Sequence, residues 1–305
     1  MNVLVTGASG FVGRALLAYF AQAGINTTAV VRRSVNDLPA TKQLVVADLI
    51  TFDGWQPALE NIDVVVHCAG LAHTNAGEAE YTAVNTELSC QLAEACINAG
   101  VKRLVFLSSL KAVGEQTPLG EPFDSNSATN PSDAYGRSKR LAEQKLQALA
   151  ANSSLELVII RPPLVYGQGV KANFQLLMRI ARLPVPLPFA GVNNRRSMIS
   201  LDNLCSLITT CLSHSAAAGA VLMASDSEPY SLAQLLRGMR RAAGRPDWLF
   251  YIPEPVLRFL LAVLGQSGAA ARLMDNLEVD AQQAQHLLSW QPPCSLDETL
   301  RKMQS

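Results

Sequence analysis

Tyr135 and Lys139 stand four residues apart in YGRSK, within a stretch whose pattern predicts a helix over residues 132–150. One helical turn separates them, so both side chains share a face. A tyrosine of ordinary pKa about 10 is a poor base at neutral pH, and an ammonium beside it favours the phenolate. Such a pair can take a proton from an alcohol or return one to a carbonyl oxygen. Ser108 and Ser109 end the apolar run RLVFLSS, a strand end where open parallel sheets bind ligands, and one of these hydroxyls can polarise the same oxygen. Singly, each feature is common: a Tyr and a Lys at this spacing arise by chance, and serines after strands are usual turn caps.

Their order along the chain makes the combination specific, because a phosphate-binding loop precedes them. GASGFVG sets Gly7, Gly10 and Gly13 between a first strand and a first helix. Gly7 allows the tight turn, Gly10 admits a pyrophosphate close to the backbone, and Gly13 lets the helix pack on the strand. The free N–H groups of the first helical turn, at Phe11 and Val12, then face the negative charge. A dinucleotide cofactor is the expected ligand, and a bare glycine turn is the plainer alternative. About twenty residues further on, where an acidic group would bond the adenosine ribose, the sequence reads VVRRS. Arg32 and Arg33, with no carboxylate beside them, lean the cofactor toward NADP over NAD, surface arginines being the alternative. Asp48, followed by Leu49 after the run QLVVA, is placed to bond the adenine amino group or simply to end a strand.

The elements that must position these residues alternate. NVLVT, NTTAVV, QLVVA, IDVVVHCA, RLVFLSS and LELVIIRPP read as strands, and the stretches between them include helices near 11–24, 78–99 and 132–150. The strand runs show little period-two alternation, as expected when helices cover both faces of a parallel sheet. The fold class is α/β, a doubly wound parallel sheet of Rossmann type with a smaller, mostly helical C-terminal substrate-binding region. After Tyr166 the texture turns irregular and proline-rich, so residues 1–168 and 197–225 are assigned to the dinucleotide-binding layer and 169–196 and 226–305 to the substrate region. SMIS and AVLMAS are read as strands of the nucleotide-binding layer. PEPVLRFLLAVLG, 253–265, is too short to span a bilayer and is expected to be buried in a domain or a dimer interface.

Composition narrows the partners. The 305 residues carry 25 Lys plus Arg against 25 Asp plus Glu, so no net field draws nucleic acid or an anionic membrane. A small-molecule partner follows. No apolar run reaches the roughly 20 residues of a membrane span. The six cysteines include no CxxC pair and no His at zinc-ligand spacing, so no metal is assigned. The strand that begins at residue 2 leaves no room for a secretory leader, and a cytoplasmic location with reduced thiols is expected.

On these motifs the chain resembles the extended short-chain dehydrogenases, specifically the NAD-dependent epimerase/dehydratase family of nucleotide-sugar enzymes, over nearly its whole length. The resemblance makes Ser109 the catalytic serine beside Tyr135 and Lys139. It places Ala69 in HCAG, Asn85 in VNTEL and Pro162 in RPPLVYGQG beside the cofactor. Asn173 in KANF is similar to an asparagine that contacts the nucleotide sugar, and Arg196 in RSMISLDNL to an arginine that meets the nucleotide diphosphate, with Arg195 an unassigned neighbour. Departures matter as well. The family's dehydratases carry an acidic pair just after the serine, where this chain has Leu110 and Lys111, so dehydration is disfavoured. Val113, before Gly114, replaces a tyrosine that helps place substrate.

The resemblance implies hydride transfer at carbon 4 of a UDP-sugar. It leaves 4-epimerisation and reduction of a 4-keto-6-deoxy sugar as nearly even alternatives, as in bacterial surface-polysaccharide enzymes of this kind. An exchangeable NADPH suits the reductase. A cofactor-sensing regulator on the same fold is the non-enzymatic alternative, and the intact serine, tyrosine and lysine argue against it. The helices near 78–99 and 132–150 resemble the pair with which relatives build a homodimer.

Overall fold

The computed structural model describes every residue except 73–75, 171, 264, 266–267, 269–272 and 305, together with the side chains of 172 and 173. Its strands are β1 (Asn2–Thr6), β2 (Asn26–Val31), β3 (Lys42–Val45), β4 (Val64–His67), β5 (Arg103–Leu107), β6 (Glu156–Arg161), β7 (Leu164–Tyr166), β8 (Met198–Ser200) and β9 (Val221–Met223). Seven of them form a wholly parallel sheet in the order β3-β2-β1-β4-β5-β6-β9. β1 lies between β2 and β4, with Val3 opposite Thr27 on one side and Val64 on the other. The chain winds outward in opposite directions from these strands, which opens a crevice above the C-terminal ends of β1 and β4.

The near-continuous apolar strands are explained by two packed faces. Val3 and Val5 share one core with Leu16, Leu17 and Phe20 of α1 (Phe11–Gln22) and with Leu204 and Ile208 of α7 (Leu201–Cys211). Leu4 points the other way, into a core with Leu88, Leu92 and Cys96 of α4 (Leu88–Ala99) and Ala142 and Leu146 of α5 (Ala134–Ala151). α2 (Trp55–Ala58) adds Trp55 to the same core.

The helix expected over 78–99 forms in three parts. α3 (Glu78–Tyr81) runs into a π-helical stretch, Thr82–Glu87, and then into α4. The wider π turn carries Asn85 and Thr86 against α5, where the Thr86 hydroxyl donates to the Ser138 carbonyl at 2.8 Å.

SMIS is a strand as expected, but β8 pairs with β7 in a separate two-stranded sheet. The main sheet has no place for it because β9 takes the free edge of β6, Ile159 opposite Val221. A further core holds Tyr166, with Phe174 and Leu177 of α6 (Ala172–Ala181), Leu235 and Leu236 of α8 (Leu232–Ala242) and Leu300 of α11 (Leu296–Lys302). The last segment serves both layers. Ala284 and Leu288 of α10 (Gln282–Leu288), with Trp290, join the core of the main sheet, and the Trp290 indole donates to Ser206 at 3.1 Å.

Of the expected burial of 253–265 in a domain or a dimer interface, α9 (Glu254–Val263) shows only a part within this chain. Leu257 is 3% exposed, whereas Val256, Phe259, Leu260 and Val263 lie between 45% and 70% exposed. Among the described residues no helix is long and apolar enough to cross a membrane. All six cysteines are free thiols.

Candidate active site

The glycine loop sits at the mouth of the crevice. Gly7 has φ +65°, and a Cβ there would lie 2.7 Å from the Ala69 nitrogen, so the turn and its contact with the end of β4 both demand glycine. The Gly10 amide donates to the Gly7 carbonyl at 2.9 Å, and no side chain caps α1. The opening turn at Phe11 and Val12 therefore keeps donors for an anion, and exposed Gly10 presents bare backbone beside them. These features fit a dinucleotide pyrophosphate.

The end of β4 is held in register by an oriented hydrogen-bond chain. Ser89 donates to the Asn85 carbonyl at 2.7 Å, so its oxygen accepts from His67 Nε2 at 2.9 Å. His67 Nδ1 then accepts from the Thr6 hydroxyl at 2.6 Å, and Thr6 accepts the Ala69 amide at 3.2 Å. Burial, aided by the Lys139 charge, pushes the His67 pKa down to about 3, so the ring is neutral.

Arg32 and Arg33 are exposed beyond the end of β2. Asp48 is also exposed and accepts the Ile50 amide at 3.0 Å, which shapes the turn that carries half-buried Leu49.

Ser109 and Tyr135 reach the crevice from different elements. Ser109 follows β5 and caps a 3-10 turn, Leu110–Ala112, its hydroxyl accepting the Lys111 amide at 3.2 Å. Tyr135 opens α5, whose cap is Asp133 through a 2.7 Å bond from the Gly136 amide. The Ser109 hydroxyl lies near enough to the phenol to act on its ionisation. Burial pushes the Tyr135 pKa up; Ser109 and the Lys111 charge oppose that rise, while Asp133 and Tyr81 add to it. One turn along, Lys139 is buried, and burial pulls its pKa down to about 8 against the favourable pull of Cys68 and Glu143.

Behind the pair lies an ionic cluster. Glu143, wholly buried, accepts from Ser108 at 2.6 Å and from Arg161 at 2.9 and 2.7 Å. Ser108 is thereby committed to the framework. Leu110 donates its amide to the Pro162 carbonyl at 2.9 Å, so the strand end at Pro162 supports the serine turn.

The neighbouring arginines Arg195 and Arg196 part. Arg195 pairs with Glu278 at 2.6 Å, whereas Arg196 donates to the Asp275 carbonyl at 3.2 Å. The Asp275 carboxylate pairs with Arg258 at 2.8 Å and lines a depression of about 380 Å³ with Arg258, Asn193, Asn194 and Thr117.

Comparison with known proteins agrees with this geometry. The NAD dependent epimerase/dehydratase family matches residues 3–223. The chain belongs to that family. Of the curated relatives, the UDP-glucose 4-epimerase of Vibrio cholerae is 39% identical over 308 residues, covering 99% of this chain and 94% of its own length. The dihydroflavonol 4-reductase of Zea mays is 32% identical over 77% of this chain and 73% of its own. Among solved structures, MoeE5 in complex with UDP-glucuronic acid and NAD is 26% identical with a TM-score of 0.77, over 99% of this chain and 97% of that one.

Within this epimerase/dehydratase chain, the structure brings Gly7, Ala69, Ser109, Tyr135 and Lys139 to one crevice. Asn85, which the resemblance sets beside the cofactor, is wholly buried. Its amide accepts from Leu71 at 2.8 Å and donates to the Leu71 carbonyl at 3.1 Å and to Ser138 at 3.0 Å. It ties the chain after β4 to the tyrosine helix. The Asn173 side chain lies outside the described residues. Sequence reasoning missed Glu143 with Arg161, and Gly136, the one residue type that fits beneath the serine turn. Only the glycine directly after the tyrosine carried a local signal.

Proposed function

We propose that the protein is a nucleotide-sugar enzyme acting at carbon 4 of a UDP-sugar, with 4-epimerisation as its reaction. The observation that carries this reading is the placement of Ser109 at the end of β5, of Tyr135 at the start of α5 and of Lys139 one turn along, bonded back to β5, set against a glycine loop that fits a dinucleotide. Full-length similarity to the Vibrio cholerae UDP-glucose 4-epimerase supports the epimerase.

Gly7, Gly10, Phe11, Val12 and Gly13 would hold the pyrophosphate, Asp48 and Leu49 the adenine side, and Ala69 and Pro162 the nicotinamide side. The chemistry a bound nicotinamide would supply there is reversible hydride acceptance. Ser109 and Tyr135 bind the oxygen on carbon 4. Tyr135 takes the hydroxyl proton as the alcohol is oxidised and gives it back when the ketone is reduced. Lys139, with its pKa near 8, is charged at neutral pH and stabilises the phenolate in the first half. Arg196 would hold the nucleotide diphosphate of the substrate, remote from the reacting carbon.

Exposed Arg32 and Arg33 favour a second reading, a 4-ketoreductase that consumes NADPH, since no residue at the end of β2 would repel a 2′-phosphate. Incubating the protein with UDP-sugars and with 4-keto-6-deoxy UDP-sugars, each with and without NADH and NADPH, separates the two. Interconversion of 4-epimers without cofactor consumption supports the epimerase, and stoichiometric oxidation of NADPH supports the reductase. A homodimer built on the outer faces of α4 and α5 belongs to the same reading, and light scattering at micromolar concentration tests it.

A further inference from the structure

The serine turn and the tyrosine helix are separated in sequence by residues 113–133, yet the reaction requires their two oxygens to meet. One residue touches both elements at three places. The Lys111 amide donates to Ser109 Oγ at 3.2 Å. The Lys111 carbonyl oxygen packs so closely on α5 that a Cβ on Gly136 would overlap it. The Lys111 ammonium donates to Asp133 Oδ2 at 2.6 Å, and the other oxygen of that carboxylate accepts the Gly136 amide and caps the helix. Glu115 Oε1 accepts from the same ammonium at 3.0 Å and holds it from the far side.

We propose that Lys111 is a positioning residue for the Ser109 and Tyr135 pair, clamping the serine turn onto the cap of the tyrosine helix. An apolar side chain here would keep the backbone contacts but leave Asp133, a carboxylate two residues before Tyr135, without its counter-ion. The charged and titratable groups around this arrangement are few. Asp133 and Tyr81 face Tyr135 and disfavour its phenolate, and Lys111 favours it. Glu115 faces Lys111 and also acts on Arg196. Burial disfavours the charge of Lys111, but the bonds to Asp133 and Glu115 outweigh it and keep the ammonium protonated. Lys111 thus offsets Asp133 at the phenol, and Glu115 limits how far it does so.

The proposal rests on Tyr135 as the proton-transfer group, and the test separates the two ideas. The phenolate of Tyr135 is titrated by ultraviolet difference against Tyr135→Phe in the cofactor-free protein, and turnover is followed with pH in the loaded one. Lys111→Met should move the Tyr135 midpoint upward and lower turnover at neutral pH by about tenfold to a hundredfold, with substrate KM nearly unchanged. Lys111→Arg should restore most of both. Glu115→Gln should move the midpoint downward, because it leaves the Lys111 charge less compensated. A folded Lys111→Met protein with the parent's midpoint and turnover profile overturns the proposal. If that variant does not fold, an unmoved midpoint in Glu115→Gln overturns it instead. Full turnover in Tyr135→Phe would sink the reading of the site itself; an inactive Tyr135→Phe beside an unmoved Lys111→Met sinks only the role of Lys111.

Discussion

Lys139 donates from Nζ to the backbone carbonyl of Leu107 at 2.9 Å. The same ammonium lies 4.7 Å from the centre of the Phe106 ring, so both contacts come from β5, the strand whose end carries Ser109. A single strand therefore fixes the serine through the chain and the lysine through space, and their relation survives movement of the outer loops.

The burial of Lys139 has a pH signature. Its pKa falls to about 8 in the folded chain from 10.5, so between these values the unfolded chain binds more protons and stability rises with pH. Below pH 8 the full cost of the buried charge is present. Lys139→Met should be at least as stable at pH 7, lose this rise above pH 8 and lower turnover by about a hundredfold or more. Denaturant midpoints that run parallel in the two proteins from pH 7 to pH 10 would contradict the assignment.

His67 gives a slope of the same sign in a more acidic window. Its pKa is about 3 when folded and 6.5 otherwise, so stability falls as pH drops from 6.5 toward 3, by up to about 1.4 kcal/mol per pH unit. His67→Gln should flatten that part of the curve. Urea titrations at several pH values across this window measure it, and an unchanged slope would mean that the ring is not buried in neutral form.

Gly136→Ala adds a methyl group where the Lys111 carbonyl sits. The expected loss is about 1 to 3 kcal/mol of stability, with a larger fall in turnover than in cofactor binding, because the serine turn must shift while the glycine loop does not. Thermal melting with cofactor titration checks both parts. Wild-type turnover would show that the close approach of turn and helix is dispensable.

Arg196→Ala should raise the KM of a UDP-sugar far more than it lowers turnover, since a contact remote from carbon 4 contributes binding common to ground and transition states. Steady-state kinetics decides this, and a collapse of turnover at constant KM would count against the diphosphate role. Arg195→Ala should do little to either, because Arg195 is already paired with Glu278.

Replacing Arg32 and Arg33 together by alanine should weaken NADPH by about ten- to a hundredfold and leave NADH nearly unchanged, because only the 2′-phosphate contacts are lost. Calorimetry on the parent and the double variant tests the preference. NADH binding as tightly as NADPH in the parent would remove it and favour an epimerase that retains NAD.

By itself, the sequence determined the parts of this protein whose cause is local. Apolar runs too continuous for one buried face dictate a parallel sheet under two layers of helices, and Gly7, Gly10 and Gly13 are required where backbone must turn sharply or approach another group. Tyr135 and Lys139 share a face because helical periodicity puts them there. Tertiary structure alone decided the relations between distant segments. Asn85 turns inward because a π-helical stretch rotates it onto α5, and β8 leaves the main sheet because β9 occupies the edge it would need. On α9, Leu257 packs inward while Val256, Phe259, Leu260 and Val263 face outward. Glu143 meets Arg161, and Lys111 meets Asp133, across 18 and 22 residues of chain. Such pairings depend on which surfaces the packed layers bring together, and no local periodicity or propensity encodes a partner that folding delivers from elsewhere.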